Sequence, residues 1–74
     1  MRVTIKLFAT LREGRFKVES REVPENVTVQ DLLASLNIQL QEVAIILVDG
    51  RDAHPAQELR EGNVLSVFPP VGGG

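Results

Sequence analysis

The chain has 74 residues, of which 43% are apolar and 24% charged, and its net charge is −2. This composition indicates one small globular domain, and it argues against a membrane-spanning segment because no apolar run approaches the roughly 18 residues that a span needs. The eight basic residues are interleaved with acidic ones, which argues against nucleic acid as a partner.

The chain contains no cysteine and a single histidine, His54. Without cysteine it has no disulfide, no thiolate nucleophile and no side-chain persulfide. A lone histidine does not supply the ligands of a structural zinc site, so we expect no bound metal and interpret His54 as a solvent-exposed loop residue. The N-terminus has no signal-peptide pattern, and we therefore expect a cytoplasmic protein without membrane association.

The first part of the sequence predicts a β-hairpin. Polar and apolar residues alternate over residues 2–7, which predicts a strand with one face on a core, and Phe8 falls on the opposite face. After a loop that turns at Gly14, alternation resumes over residues 16–23 and predicts the second strand. The loop between the strands has room for a short helical turn.

A helix is predicted after the hairpin. Thr28 is a suitable N-cap, and Asp31 places a carboxylate where it interacts favourably with the helix dipole. The following apolar residues recur with helical spacing, and this stripe predicts a single face that packs on the sheet. The stripe consists of Val29, Leu32, Leu33 and Leu36.

The second half of the sequence predicts the remaining strands. Residues 44–48 form a continuous apolar run, as expected for a strand in the middle of a sheet, and Asp49-Gly50 is a two-residue hairpin signal. Residues 55–59 are interpreted as a short helical or irregular crossover. The last strand is predicted over residues 64–68.

This order of elements predicts the topology of the domain. A right-handed crossover through the helix allows the first and last strands to lie side by side and parallel at the centre of the sheet. We therefore predict an α+β fold of the β-grasp (ubiquitin-like) type, with a mixed sheet of four to five strands and one main helix on one face. The predicted domain comprises residues 1–68, and residues 69–74 form a flexible C-terminal tail.

The tail has an unusual composition. Its two prolines lack a backbone N–H and have a fixed φ, so they end the last strand and stiffen the base of the tail. Its glycines have no Cβ and suit a narrow channel, so the tail is predicted to deliver its own C-terminus into another protein's active site. A frayed terminus or a cloning scar would leave the same pattern. The tail-threading residues are Pro69, Pro70, Val71, Gly72 and Gly73.

Five segments spread over the chain carry a family resemblance: Leu7–Glu13, Thr28–Leu33, Val48–Gly50, Glu61–Asn63 and Phe68–Gly74. Together they resemble the small subunit of molybdopterin synthase, in the MoaD–ThiS family of ubiquitin-like sulfur carrier proteins. The tail is the most specific of the five. It departs from the usual family pattern in that a third glycine, Gly72, fills a position that is normally variable.

The resemblance implies a reaction at Gly74. An E1-like adenylating enzyme would use ATP–Mg to convert the terminal carboxylate into an acyl-adenylate, and a sulfur donor such as a cysteine desulfurase or rhodanese would supply the sulfur of a thiocarboxylate. The molybdopterin synthase large subunit would then receive that sulfur, in molybdenum or tungsten cofactor biosynthesis. This chain has no phosphate-binding loop and no activating base, so we expect it to be a donor, not an enzyme, and to bind no cofactor itself.

The face of the sheet opposite the helix is the predicted docking surface. Phe8 and Phe68 alternate onto it, with Val64 predicted beside Phe68, and an exposed apolar patch on a small charged domain marks an interface. A strand bend or bulge would instead turn one ring inward. Arg12 matches a position that the family uses for a charged partner contact, although a solvated loop arginine fits the sequence as well.

Other functions remain open on the sequence. The chain could carry sulfur for thiamine thiazole or another sulfur-containing metabolite. It could also be a ubiquitin-like protein modifier, which would use the same activated glycine to form isopeptide bonds. A non-covalent binding module is the third alternative, because the β-grasp fold alone does not decide function.

Overall fold

The computed structural model describes residues 1–70, which form a five-stranded sheet with one helix across it. The strands are β1 (Arg2–Leu7), β2 (Val18–Glu22), β3 (Ile45–Val48), β4 (Arg51–Asp52) and β5 (Val64–Phe68). The helix is α1 (Val29–Ser35), and two short 3₁₀ turns span Ala9–Arg12 and Leu40–Glu42.

The sheet has the strand order β2-β1-β5-β3-β4. The central strands β1 and β5 are parallel, whereas the β1–β2, β3–β5 and β3–β4 pairs are antiparallel. The first and last strands are therefore neighbours, as predicted, and the mixed sheet with one helix is a β-grasp fold. Residues 69–74 follow β5, and their separation from residues 1–68 as a tail stays a prediction.

The core lies between α1 and one face of the sheet. Alternate residues of β1 and β5 are fully buried there, and the stripe of α1 packs against them, so the predicted period-two and helical patterns both meet in one cluster. The least exposed side chains are Val3, Ile5, Leu7, Val29, Leu32, Leu33, Leu65 and Val67.

Both ends of α1 are closed by side chains. At its start, the Thr28 hydroxyl accepts a hydrogen bond from the Asp31 backbone N–H at 3.2 Å, and the Asp31 carboxylate accepts one from the Thr28 N–H at 3.3 Å. This capping box confirms the predicted start of the helix. At its end, the Arg15 guanidinium donates to the carbonyl oxygens of Leu36 and Asn37, at 3.1 and 3.0 Å, which the helix leaves without partners.

The Asp49-Gly50 turn is confirmed, with positive φ at both residues, 52° and 82°. The Asp49 carboxylate also accepts hydrogen bonds from the Val64 backbone N–H at 2.8 Å and from the Asn63 side chain at 2.7 Å. These contacts tie the β3–β4 turn to the first residue of β5.

β2 is shorter than the strand predicted over residues 16–23, and β3 begins at Ile45 and not at residue 44. β2 begins at Val18, not at Phe16, because Phe16 packs against the core and Arg15 beside it is held at the end of α1. Residues 55–59 are irregular, which agrees with the predicted helical or irregular crossover, and an isolated bridge joins Thr28 and Glu58. The 3₁₀ turn at residues 40–42 has no counterpart among the sequence predictions.

Candidate functional site

The base of the tail lies at the end of the central strand β5. Pro69 is half-buried and Pro70 is exposed. The predicted threading residues beyond them, and the predicted reacting residue, lie outside the described part of the chain, so their roles stay predictions. Those residues are Val71, Gly72, Gly73 and Gly74.

An aromatic pair lies where β5 ends. Because Leu7 pairs with Val67 in the parallel register, the next residues along, Phe8 and Phe68, emerge side by side on the face opposite α1, which we call the outer face. Their rings stack with centroids 4.1 Å apart and planes 11° apart, and the Phe8 N–H donates to the Val67 carbonyl at 3.2 Å. Both rings are half-buried, so neither turns into the core.

The first 3₁₀ turn places Arg12 against this pair. Its Nε donates to the carbonyl oxygen of Leu7 at 2.7 Å, and its guanidinium carbon lies 5.4 Å from the centroid of the Phe8 ring. This geometry is that of a cation–π contact, and it completes a column of guanidinium, Phe8 ring and Phe68 ring. Arg12 is thus a half-buried, hydrogen-bonded residue and not a freely solvated loop arginine.

Val64 lies on the same face but at the opposite end of β5, where it pairs with Thr4. Along the outer face Val64 is followed by Ser66 and then by Phe68, each two residues further on, at about 3.3 Å per residue. The prediction that Val64 lies beside Phe68 is therefore wrong, because Ser66 occupies the place between them.

The outer face contains two apolar residues that the sequence analysis missed. Ile45 pairs directly with Phe68 and is 46% exposed, and Leu47 pairs with Ser66 and is half-buried. A continuous apolar run predicts a strand in the middle of a sheet and does not show which of its residues are exposed. The pairing of β3 with β5 provides that information, because a β3 residue directly opposite Phe68 must lie on the same face of the sheet as Phe68.

Among the described residues there is neither a metal-ligand cluster nor a membrane-spanning helix. His54 is exposed, as predicted. Within residues 1–70 no group of three His, Cys, Asp or Glu side chains is placed to hold a metal ion. Over the same residues every helix is too short or too polar to cross a bilayer.

The chain matches a family model and several known proteins. The model is that of the ThiS family, and it matches residues 5–74. A curated relative, small archaeal modifier protein 3 from Haloferax volcanii, is 31% identical over an alignment of 93 residues that covers 100% of both chains. These matches extend over nearly the whole sequence, tail included.

Solved structures show the same fold. SAMP1 from Haloferax volcanii superposes with a TM-score of 0.76 and 26% identity, and the match covers 100% of both chains. A chain in the complex of subunits 1 and 2 of the molybdopterin-converting factor from Helicobacter pylori superposes with a TM-score of 0.66 and 26% identity, again over 100% of both chains. In that second structure, the matching fold is part of a complex of two subunits.

Proposed function

This chain belongs to the ThiS family, and we propose that it is a sulfur carrier with Gly74 as its reacting residue. It is a small ubiquitin-like protein of the carrier and modifier type, whose homologues are non-catalytic. The proposed pathway is molybdenum or tungsten cofactor biosynthesis, in which the chain acts as the small subunit of molybdopterin synthase. The observation that carries the proposal is the family match, which continues through the tail to residue 74.

The reaction requires activation by another protein. A carboxylate is a poor acyl donor, so its oxygen must first attack the α-phosphate of ATP, with release of pyrophosphate, to form an acyl-adenylate. A persulfide on a cysteine desulfurase or rhodanese then attacks the acyl carbon and displaces AMP, which gives an acyl disulfide. A second thiol of the partner attacks the S–S bond, which releases the thiocarboxylate and leaves a disulfide on the partner. The adenylating enzyme would bind ATP–Mg, and this chain would contribute the acyl group and the surface by which it is recognised.

The outer face is the proposed recognition surface. It presents the stacked rings of Phe8 and Phe68 next to the partly exposed Ile45, directly beside the point where the chain continues into Pro69. A partner that binds this surface would hold the tail at its own active site, which is the positioning that a group transfer needs. Arg12, fixed above Phe8, would contact a polar or acidic group of that partner. The same surface would serve the adenylating enzyme and the large subunit in turn.

Intact mass spectrometry tests the proposal. We expect the full chain, incubated with its cognate adenylating enzyme, ATP–Mg and a sulfur source, to gain the mass of one sulfur-for-oxygen exchange. A variant that lacks Gly73 and Gly74 is the control, and it should keep its fold but remain unmodified because its shortened end no longer reaches the partner's active site. An unchanged mass of the full chain in the presence of an enzyme that forms the adenylate would contradict the proposal.

Protein modification is the second candidate, and the 31% identical relative named as a small archaeal modifier protein favours it. A modifier would form an isopeptide bond between Gly74 and a lysine of another protein. Immunoblots of a cell extract against this chain would then show higher-mass conjugates that disappear when the last two glycines are removed. A carrier gives a thiocarboxylate without conjugates, and a non-covalent binding module tolerates the truncation.

Reconstitution with purified partners distinguishes the molybdopterin pathway from the thiamine pathway. If the chain is a molybdopterin synthase subunit, its thiocarboxylate form should convert the cyclic pterin precursor to the dithiolene product when the large subunit is added. Transfer only to a thiazole-forming enzyme would assign it instead to the thiamine pathway. Both outcomes are read from the chemical product and do not depend on affinity.

A further inference from the structure

β2 has one free edge. Met1 and Val23 exchange two backbone hydrogen bonds, of 2.9 and 2.7 Å, and the Leu7 N–H donates to the Lys17 carbonyl at 3.0 Å. In the antiparallel register between these two hydrogen-bonded pairs, the odd-numbered residues of β2 form the hydrogen bonds to β1. Since hydrogen-bonding direction alternates along a strand, the N–H and C=O groups of the intervening residues point away from the sheet. Those residues are Val18, Ser20 and Glu22.

The hydrogen bonds on the β5 side of β1 support this assignment of the free N–H and C=O groups. The Thr4 N–H donates to Asn63, and the Arg2 carbonyl accepts from Gly62, so even-numbered residues of β1 are directed at β5. The odd-numbered residues of β1 are therefore the ones that bond to β2. Among residues 1–70 no strand pairs with the outward side of β2, and Val18 is 54% exposed.

The free edge carries two opposite charges on the helix side of the sheet. Glu19 pairs with Ile5 and Arg21 with Val3, so both side chains lie on that side. They form an ion pair of 2.6 Å within the strand, and their side chains are 38% and 35% exposed. An exposed pair of this kind exchanges partners at little cost in free energy.

We propose that β2 pairs with β2 of a second copy of this chain, antiparallel and centred on Ser20. Val18 would then exchange hydrogen bonds with Glu22 of the other copy, and Ser20 with Ser20, for about six new bonds around a twofold axis. Glu19 and Arg21 would lie opposite Arg21 and Glu19 of the other copy, at the close, non-hydrogen-bonded positions of the ladder. The two five-stranded sheets would become one.

The charges of Glu19 and Arg21 favour the register centred on Ser20 over the two neighbouring registers. A shift of the centre from Ser20 to Glu19 would place Glu19 opposite its own copy, and a shift to Arg21 would place Arg21 opposite its own copy. Like charges directly opposite each other destabilise a strand pair, whereas opposite charges stabilise it. Of these three registers, only the one centred on Ser20 places opposite charges across from each other.

The proposed dimer does not involve the recognition surface on the outer face. β2 is separated from β5 by β1, so Phe68 and the base of the tail are not adjacent to the new strand pair, and Phe8 lies beyond the last residue of β1 in the register with β2. The inference goes beyond the proposed function, and either one can fail without the other.

Charge reversal with mixing tests the inference. In sedimentation equilibrium the natural chain should show a monomer–dimer equilibrium, and Glu19→Arg and Arg21→Glu should each raise the dissociation constant roughly tenfold or more, because each variant faces two like-charge pairs in its own dimer. An equimolar mixture of the two variants should dimerise again. In the mixed dimer, positions 19 and 21 are both positive in one chain and both negative in the other, so every cross-strand pair joins opposite charges. Two misfolded variants would not dimerise on mixing, so this recovery would show that the single variants are folded and that charge repulsion weakens their own dimers.

Arg51→Glu, on the short strand at the other edge, is the matched control. It makes the same change in net charge as Arg21→Glu and should leave the dissociation constant unchanged. Amide hydrogen exchange gives a second measurement, in which the N–H groups of residues 18, 20 and 22 should become protected as the protein concentration rises. The proposal would be overturned if the natural chain stayed monomeric at millimolar concentration. It would also be overturned if both charge-reversal variants dimerised as tightly as the natural chain, or if the mixture of the two did not dimerise.

Discussion

Replacing Phe68 by alanine should lower partner affinity far more than it lowers stability. The ring is half-buried and stacks on Phe8 at 4.1 Å, so the substitution removes an aromatic contact of about 0.5–1.5 kcal/mol and some buried apolar area. Full burial would make the loss about 3–5 kcal/mol. We therefore expect a loss of about 1–2 kcal/mol in the free energy of unfolding.

The neighbouring residue provides the control. Val67 is 0% exposed in the core, and Val67→Ala removes two carbon atoms at about 0.8 kcal/mol each and leaves a small cavity, for a total loss of about 2 kcal/mol. The two variants should thus be destabilised to a similar extent. Only Phe68→Ala removes surface from the outer face, and a central aromatic contact in an interface contributes about 2 kcal/mol or more, which is roughly thirtyfold in affinity.

The assay combines urea unfolding with calorimetric titration of the cognate adenylating enzyme. The expected result is a similar loss of unfolding free energy in both variants and a loss of affinity in Phe68→Ala alone. If Phe68→Ala binds like the natural chain, or if Val67→Ala loses as much affinity while still folded, Phe68 serves the fold and the outer face is not the docking surface.

Two further predictions concern stability. Arg15→Met should lower the free energy of unfolding by about 1–3 kcal/mol, because the carbonyls of Leu36 and Asn37 lose their charged donor, and thermal unfolding measures the loss. An unchanged melting temperature would show that water replaces the guanidinium. Ala9→Gly should raise stability by about 0.5–1 kcal/mol, since Ala9 has φ of 53°, a conformation that glycine adopts without strain, and a decrease in urea midpoint would refute this reasoning.

Much of the fold follows from local patterns in the sequence. Alternation over residues 2–7 and the apolar stripe of α1 each specify a buried face without reference to the rest of the chain. The capping residues Thr28 and Asp31 mark the helix start, and Asp49-Gly50 marks a turn that requires positive φ. These signals, with the rule for right-handed crossovers, are sufficient for the β-grasp topology.

The parts that local patterns miss depend on contacts between distant segments. Phe16 alternates as a strand residue would, but Arg15 is tied to the end of α1, 21 residues away, and that contact has no local signature. The outward direction of Ile45 follows from its register with Phe68, which a continuous apolar run does not reveal. The position of Arg12 over Phe8 requires a turn through residue 9 at positive φ, and an alanine gives no sign of it because alanine rarely adopts that conformation.

The parallel arrangement of β1 and β5 has a mechanical consequence. Both strands run in the same direction, so the N-terminal end of β1 and the tail leaving β5 lie at opposite ends of the strand pair. A pull on the tail against a fixed N-terminus would load the hydrogen bonds between these strands in shear, all at once, and would not peel them open one after another. A partner could therefore draw the tail taut without unravelling the strand that anchors it.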